Sequence, residues 1–103
     1  MAKAYLIHTD PPSGYGDPDG MARYASNVGA VVELFGGVYH SRHTAVRVLE
    51  GRWQPEFMTL IEFPSMSKLV EFYESAEYRP WLELRKNAGD GSIVAIEEGG
   101  PDF

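Results

Sequence analysis

The stretch FMTLIEFPS, residues 57–65, carries most of the information about the fold. Its first seven residues are rich in β-branched and aromatic side chains, which predicts a β-strand that Pro64 ends. Ser65 is then in position to cap a helix. Met58 and Leu60 are apolar on one side of such a strand, and the other side carries the apolar residues Phe57, Ile61 and Phe63. A strand with two apolar sides needs cover on both faces of its sheet.

Working outward, the N-terminal half of the chain predicts a strand followed by a helix. Residues 4–9 form a short apolar run that a breaker-rich loop closes. Asp17 and Pro18 supply an N-cap carboxylate and a proline at the first helical position. Apolar residues then recur at steps of three and four until Gly36 and Gly37, which favour a left-handed helix end.

The segment that follows this helix is expected to be a strand with a bend. Residues 38–43 and 46–50 are both rich in β-branched and aromatic residues. We place the bend near Thr44 and Ala45, where the apolar pattern is interrupted.

Beyond residue 65, the sequence predicts a helix that Pro80 restarts, a last strand at residues 92–97 and a loose tail at 98–103. The order β, α, β, β, α, β is that of the ferredoxin-like fold, an α+β fold with an antiparallel sheet and both helices on one face. The length suits a single domain, residues 1–103. Because the helices leave the second apolar face uncovered, we expect a second copy of the chain to cover it, as a homodimer.

Charge and cysteine content exclude several classes of function. A net charge of -6 disfavours nucleic acid as a partner, because phosphate contacts need clustered Lys and Arg. The absence of cysteine excludes disulfides and thiolate metal ligands. No apolar run approaches the roughly 18 to 20 residues that cross a membrane. We therefore expect a cytoplasmic protein that binds neither nucleic acid nor membranes, and no pattern in the sequence requires a cofactor.

Five segments resemble the successive motifs of a bacterial family, the domain-of-unknown-function family numbered thirteen-thirty, within the dimeric α/β-barrel superfamily. They are DPDGMARY at 17–24, FGG at 35–37, VLEGRWQP at 48–55, IEFPS at 61–65 and FYESAEY at 72–78. The resemblance implies a ferredoxin-like protomer whose sheet packs against its twin to close a shared barrel, with a cavity between sheet and helices. It implies no agreed activity.

Two departures from the family pattern affect the expected cavity mouth. The loop at residues 11–16 is longer than is usual for the family, and Val38 stands where an arginine is common. Relatives in the wider superfamily include cofactor-independent monooxygenases, lactone isomerases and haem-using enzymes, so the resemblance constrains the scaffold more than the chemistry.

Arg42 and His40 are the leading candidates for a ligand site. They lie two residues apart on a predicted strand, which places both side chains on one face. Arg42 also matches an arginine of the family motif, and a guanidinium beside a cavity can hold a carboxylate or enolate in a planar fork. His40 would then carry protons. The competing interpretation is a structural salt bridge from Arg42 to Glu62 or Glu50.

Glu62 and Trp53 are further candidates. Glu62 lies among apolar residues, where an unpaired carboxylate is costly, so we expect it to pair with Arg42 or Arg85 or to act as a general base. Trp53 would either form a lid over the cavity or pack against the partner chain.

His8, at the end of the first strand, completes the candidates. It is a conceivable third ligand for a metal site with His40 and His43. On a strand, however, the H-x-x-H spacing sends the two rings of His40 and His43 to opposite faces. We therefore predict no metal site.

The sequence leaves three functional hypotheses open. The first is a protein that binds a small acidic or aromatic organic molecule in a cavity of a homodimeric barrel, near His40, Arg42, Trp53 and Glu62. The second is a non-catalytic structural or interaction module, and the third is a cofactor-independent monooxygenase or isomerase-like enzyme.

Overall fold

Four strands and three helices alternate along the chain in the predicted order. A computed structural model describes residues 2–100. The elements are β1 (Ala4–Thr9), α1 (Pro18–Leu34), β2 (Val38–Ala45), β3 (Phe57–Phe63), α2 (Met66–Glu74), α3 (Arg79–Ala88) and β4 (Ser92–Glu97). The strands form one sheet in the order β2-β3-β1-β4, and all neighbouring strands are antiparallel. The predicted α+β ferredoxin-like fold is confirmed.

Side-chain caps explain where the helices begin. Asp17 accepts a hydrogen bond from the backbone of Gly20 at 2.9 Å, and Ser65 accepts one from Lys68 at 3.2 Å. Ser75 accepts from the backbone of Tyr78 at 3.1 Å and so stabilises the turn that precedes α3. As expected, the proline at position 80 lies in the first turn of a new helix, where it costs no backbone hydrogen bond.

The expected strand at residues 46–50 is not formed. β2 ends at Ala45, which pairs with Phe57 at the start of β3. Residues further along have no neighbouring strand to pair with, because β2 lies at the edge of the sheet and β3 begins only at Phe57. Without a neighbouring strand, these residues form no β-strand despite their high β propensity. Val46 donates its backbone N–H across the loop to the carbonyl of Glu56, at 3.0 Å.

The hydrophobic core lies between the helices and one face of the sheet. Phe63, Phe72, Tyr78 and Val32 are its largest fully buried side chains. Phe72 contacts both Phe63 and Tyr78, with ring centroids 5.3 and 4.5 Å apart. We call this the covered face of the sheet.

The opposite face, which we call the open face, is uncovered in the protomer. Val94 and Ile96 are 54% and 53% exposed there. They pair with Ile7 and Tyr5 of β1, and Leu60 lies on the other side of Ile7, so the apolar surface is continuous across three strands. The predicted second apolar face is therefore present.

Part of the expected loose tail is attached to the sheet. Glu98 donates its backbone N–H to Lys3 at 2.8 Å, just beyond the last β1–β4 pair. The tail residues 101–103 lie outside the described part of the chain.

Between residues 2 and 100, none of the helices is long and apolar enough to cross a membrane.

Candidate functional site

A cavity of about 420 Å³ lies between α1 and the covered face of the sheet. This volume is within the range of small-molecule sites in proteins. Its walls are mainly apolar and include Leu6, Met21, Ala22, Ala25, Val28, Ile61, Phe72 and Ile93. Its polar lining residues are His8, Asp10, Tyr15, Tyr24, Tyr39, Arg42, His43, Thr59 and Tyr78.

The cavity exists because α1 packs mainly against α3 and carries small residues toward the sheet. Ala22 and Ala25 line the cavity from α1 and leave the space between helix and strands unfilled. Larger aliphatic residues at these two positions would occupy it. The local sequence of α1 thus determines the size of the cavity.

Two hydrogen-bonded pairs of ring side chains form the buried end of the cavity. The Nε2 atom of His8 lies 2.8 Å from the hydroxyl of Tyr15, and the hydroxyls of Tyr24 and Tyr78 lie 2.8 Å apart. Burial, together with the positive charge of Arg85, lowers the pKa of His8 to about 4. Burial also raises the pKa of Tyr15 and of Tyr24. His8, Tyr15 and Tyr24 are therefore neutral at neutral pH.

Charged groups line the mouth of the cavity instead. The guanidinium of Arg42 lies over the ring of Tyr39, 4.7 Å from its centroid, and donates to the backbone carbonyl of Ala25. The Nε2 atom of His43 lies 2.7 Å from a carboxylate oxygen of Asp10. The cavity thus has a neutral hydroxyl-rich end and a charged mouth.

His40 and Glu62 lie on the open face, away from the cavity. His40 Nε2 is 2.9 Å from Oε1 of Glu62, and Lys3 Nζ is 3.4 Å from its Oε2. The hydrogen bond with His40 and the charge of Lys3 lower the pKa of Glu62 below its usual value. Glu62 is paired, as expected, but neither with Arg42 nor with Arg85. A general base would need a raised pKa, so its environment does not suit that role.

The expectation that His40 and Arg42 share a face is wrong. Tyr39 pairs with Ile61, but Ser41 pairs with Leu60, so β2 has one extra residue at this point. Such a β-bulge interrupts the alternation of side chains. His40 consequently points to the open face and Arg42 to the covered face.

Trp53 does not form a lid. It lies in the loop between β2 and β3, is 63% exposed, and does not line the cavity. Of the five candidates from the sequence, the structure brings only His8 and Arg42 to the cavity.

Sequence reasoning missed the polar residues that complete the lining, which are Asp10, Tyr15, Tyr24, Tyr39, His43, Thr59 and Tyr78. A signal existed for Tyr15, since the loop at 11–16 departs from the family pattern. The hydroxyls of Tyr24 and Tyr78 bind each other in a buried position. Their separation of 54 residues leaves no local pattern that would reveal the pair.

Within residues 2–100, no three His, Cys, Asp or Glu side chains come together to hold a metal ion. His40 and His43 lie on opposite faces and bind different acids, Glu62 and Asp10. The H-x-x-H spacing therefore does not form a shared site.

Three solved structures share this fold. The protein RPA0582 of unknown function from Rhodopseudomonas palustris has a TM-score of 0.73 at 19% identity, over 97% of this chain and 85% of that one. A dimeric ferredoxin-like protein of unknown function from Jannaschia sp. CCS1 has a TM-score of 0.67 at 15% identity, over 95% and 99% of the chains. A dabb family protein with a ferredoxin-like fold from Mesorhizobium loti has a TM-score of 0.54 at 7% identity, over 99% and 100%.

These identities are low, so the three structures establish the fold and not an activity. Among curated proteins, none matches this chain. A family model matches residues 3–99, which is nearly the whole chain. The chain therefore belongs to the family described as Domain of unknown function (DUF1330).

Proposed function

We propose that this chain binds a small organic molecule with an aromatic or other planar apolar body in the cavity between α1 and the sheet. The observation that carries this proposal is the cavity itself, about 420 Å³ in volume, with apolar walls and polar groups confined to its two ends. Ligand sites commonly combine apolar walls with a few polar groups that fix orientation.

Arg42 is the group at the mouth that is best placed to contact a bound molecule. None of the Asp and Glu residues between positions 2 and 100 forms an ion pair with it, so the salt bridge to Glu62 or Glu50 is not its role. Its guanidinium stays charged at every working pH and presents a planar set of donors. In this proposal it holds a polar substituent of the ligand at the entrance.

In the isomerase-like alternative, His8 and Tyr15 orient the bound molecule, because a pKa of about 4 makes His8 a weak base. These two groups are hydrogen-bonded and line the cavity, whereas His40 and Glu62 face the other side of the sheet. In the hypothesis of a small-molecule site, the cavity therefore stays the binding site. The residues that line it differ from those that the sequence predicts near the ligand.

Occupation of the cavity is tested with Ala25→Phe. Ala25 lines the cavity from an exposed position on α1, so a phenylalanine there fills the mouth with little effect on the core. Ala30→Phe, on an exposed position of the same helix outside the cavity lining, is the matched control. In a thermal-shift screen of small aromatic compounds, ligands should stabilise the wild type and Ala30→Phe and lose their effect on Ala25→Phe. Equal stabilisation of both variants would place binding elsewhere and contradict the proposal.

We infer that the protein works as a homodimer whose open sheet faces meet. Val94 and Ile96 provide an exposed apolar surface there, and the structurally similar Jannaschia protein is described as dimeric. Trp53 and Leu49, exposed in the loop between β2 and β3, are further candidates for contacts with the partner. A cytoplasmic location and the lack of nucleic-acid and membrane partners stay predictions that rest on the charge and composition.

A further inference from the structure

Arg85 is a buried cation without an acidic partner. Its side chain emerges from α3 and the residue is 3% exposed. In the described part of the chain no Asp or Glu forms an ion pair with it, and its Nε atom has no hydrogen-bond partner. Burying an uncompensated guanidinium is costly, and proteins normally offset that cost with a carboxylate.

The side chains around Arg85 carry hydroxyl groups rather than carboxylates. Its guanidinium faces the hydroxyls of Tyr15 and Tyr78, and both of these tyrosines line the buried end of the cavity. Behind them, His8 binds Tyr15 at 2.8 Å and Tyr24 binds Tyr78 at 2.8 Å. Burial keeps His8 neutral, so this ring adds no second positive charge beside Tyr15.

The acid that lines the cavity, Asp10, forms no ion pair with Arg85. Asp10 is bonded to His43 at 2.7 Å, at the mouth. A carboxylate at the inner end of the cavity would lie close to the charge of Arg85 in a low-dielectric environment, where opposite charges attract each other strongly.

We propose that the buried end of the cavity binds the carboxylate of the ligand, with the hydroxyls of Tyr15 and Tyr78 as donors and Arg85 as the counter-charge behind them. This inference rests on the proposed function and specifies its ligand class, an aromatic or other apolar monocarboxylic acid. The carboxylate points inward to the tyrosines, and the apolar body lies between α1 and the sheet.

The hydrogen-bond pairs are suited to this arrangement. His8 can donate from Nε2 to the oxygen of Tyr15, and Tyr24 can donate to the oxygen of Tyr78, which leaves both inner hydroxyl protons free for the ligand. Hydroxyl donors to a carboxylate form short, strong hydrogen bonds. Each tyrosine is thus positioned by a neutral partner and polarised by one cation.

The inference is tested by the preference for an acid over its neutral amide. The dissociation constants of 1-naphthoate and 1-naphthamide are measured by calorimetry on the wild type, and the acid should bind about tenfold tighter or more. Tyr15→Phe and Tyr78→Phe should each lower the affinity for the acid by about tenfold and leave that for the amide nearly unchanged. Tyr5→Phe, on the open face, is the matched control and should behave as the wild type.

Arg85→Met separates a ligand role from a purely structural one. Because the charge is unpaired, replacing it by an apolar side chain of similar length should keep or raise the melting temperature of the free protein and abolish the preference for the acid. A large drop in melting temperature, with the preference intact in both tyrosine variants, would show that Arg85 serves the fold only.

The two proposals fail differently. Equal affinity for naphthoate and naphthamide in the wild type would overturn the carboxylate inference and leave the cavity as a binding site. Binding of neither compound, together with no stabilisation of the wild type in the Ala25→Phe screen, would count against the proposed function itself.

Discussion

The two faces of the sheet use the same strands for opposite purposes. On the covered face, Leu6 and Ile61 are buried, and the polar groups at the inner end of the cavity are hydrogen-bonded in pairs. On the open face, Val94 and Ile96 are exposed, and Glu62 forms ion pairs that water can reach. The comparison shows that an apolar strand side need not be core. One side encloses a cavity, and the other is available for a partner.

The open face gives the largest expected effect. Leu60→Asp places a charge in the centre of the surface that we assign to the dimer, and burial of an unpaired charge costs about 3 kcal/mol or more. Sedimentation should show a dimer for the wild type at micromolar concentration and a monomer or an unfolded chain for the variant. Ala30→Asp, on an exposed position of α1, is the control. A wild type that sediments as a monomer would remove the assignment of this face.

On the covered face, His8 should make stability depend on pH. Its pKa is about 4 in the folded protein and near 6.5 in the unfolded chain, so the unfolded state binds more protons between these values. The contribution of His8 to the free energy of unfolding is therefore complete above about pH 6.5. As the pH falls toward 4, this free energy decreases by at most about 3 kcal/mol.

The groups whose charges act on His8 are Arg85, Asp10 and His43, and Tyr15 binds its ring. Urea unfolding of the wild type and of His8→Gln should show a smaller loss of stability between pH 7 and 4 in the variant. For Glu62→Gln, on the open face, the free energy of unfolding should change with pH as it does in the wild type between pH 7 and 5. Equal slopes in the wild type and His8→Gln would contradict the assignment.

At the cavity mouth, Arg42 should matter for binding more than for stability. It lacks an acidic partner among the described residues, so Arg42→Met should change the free energy of unfolding by less than about 1 kcal/mol. Affinity for a ligand from the screen should fall, and Arg42→Lys should restore it only partly, because lysine lacks the planar fork. Unchanged binding in both variants would remove Arg42 from the site.

The stability of the protein should not depend on a metal ion bound at either face of the sheet. Prolonged chelation should leave the melting temperature unchanged, since the described residues bring no set of ligands together. Stoichiometric zinc or iron in protein purified without an affinity tag would contradict this, and His8, His40 and His43 would be the first residues to test.

Local signals in the sequence determined most of the fold. The capping residues Asp17, Ser65 and Ser75 and the restart at Pro80 act within one helical turn, so their neighbours suffice to predict them. The two apolar sides of the strand at residues 57–63 follow from its alternation alone. The uncovered face was predictable for the same reason. The strands are apolar on both sides, whereas the helices of this fold cover only one face of the sheet.

Tertiary structure alone decided the site. The extra residue between Tyr39 and Ser41 is a property of how β2 pairs with β3, and it moved Arg42 to the cavity and left His40 on the open face. The pairing of Tyr24 with Tyr78 and the unpaired charge of Arg85 depend on which distant residues meet in space. Sequence periodicity reports only the direction of a side chain along its own element. The chemistry of the cavity depends on contacts between elements, and these form only when the chain folds.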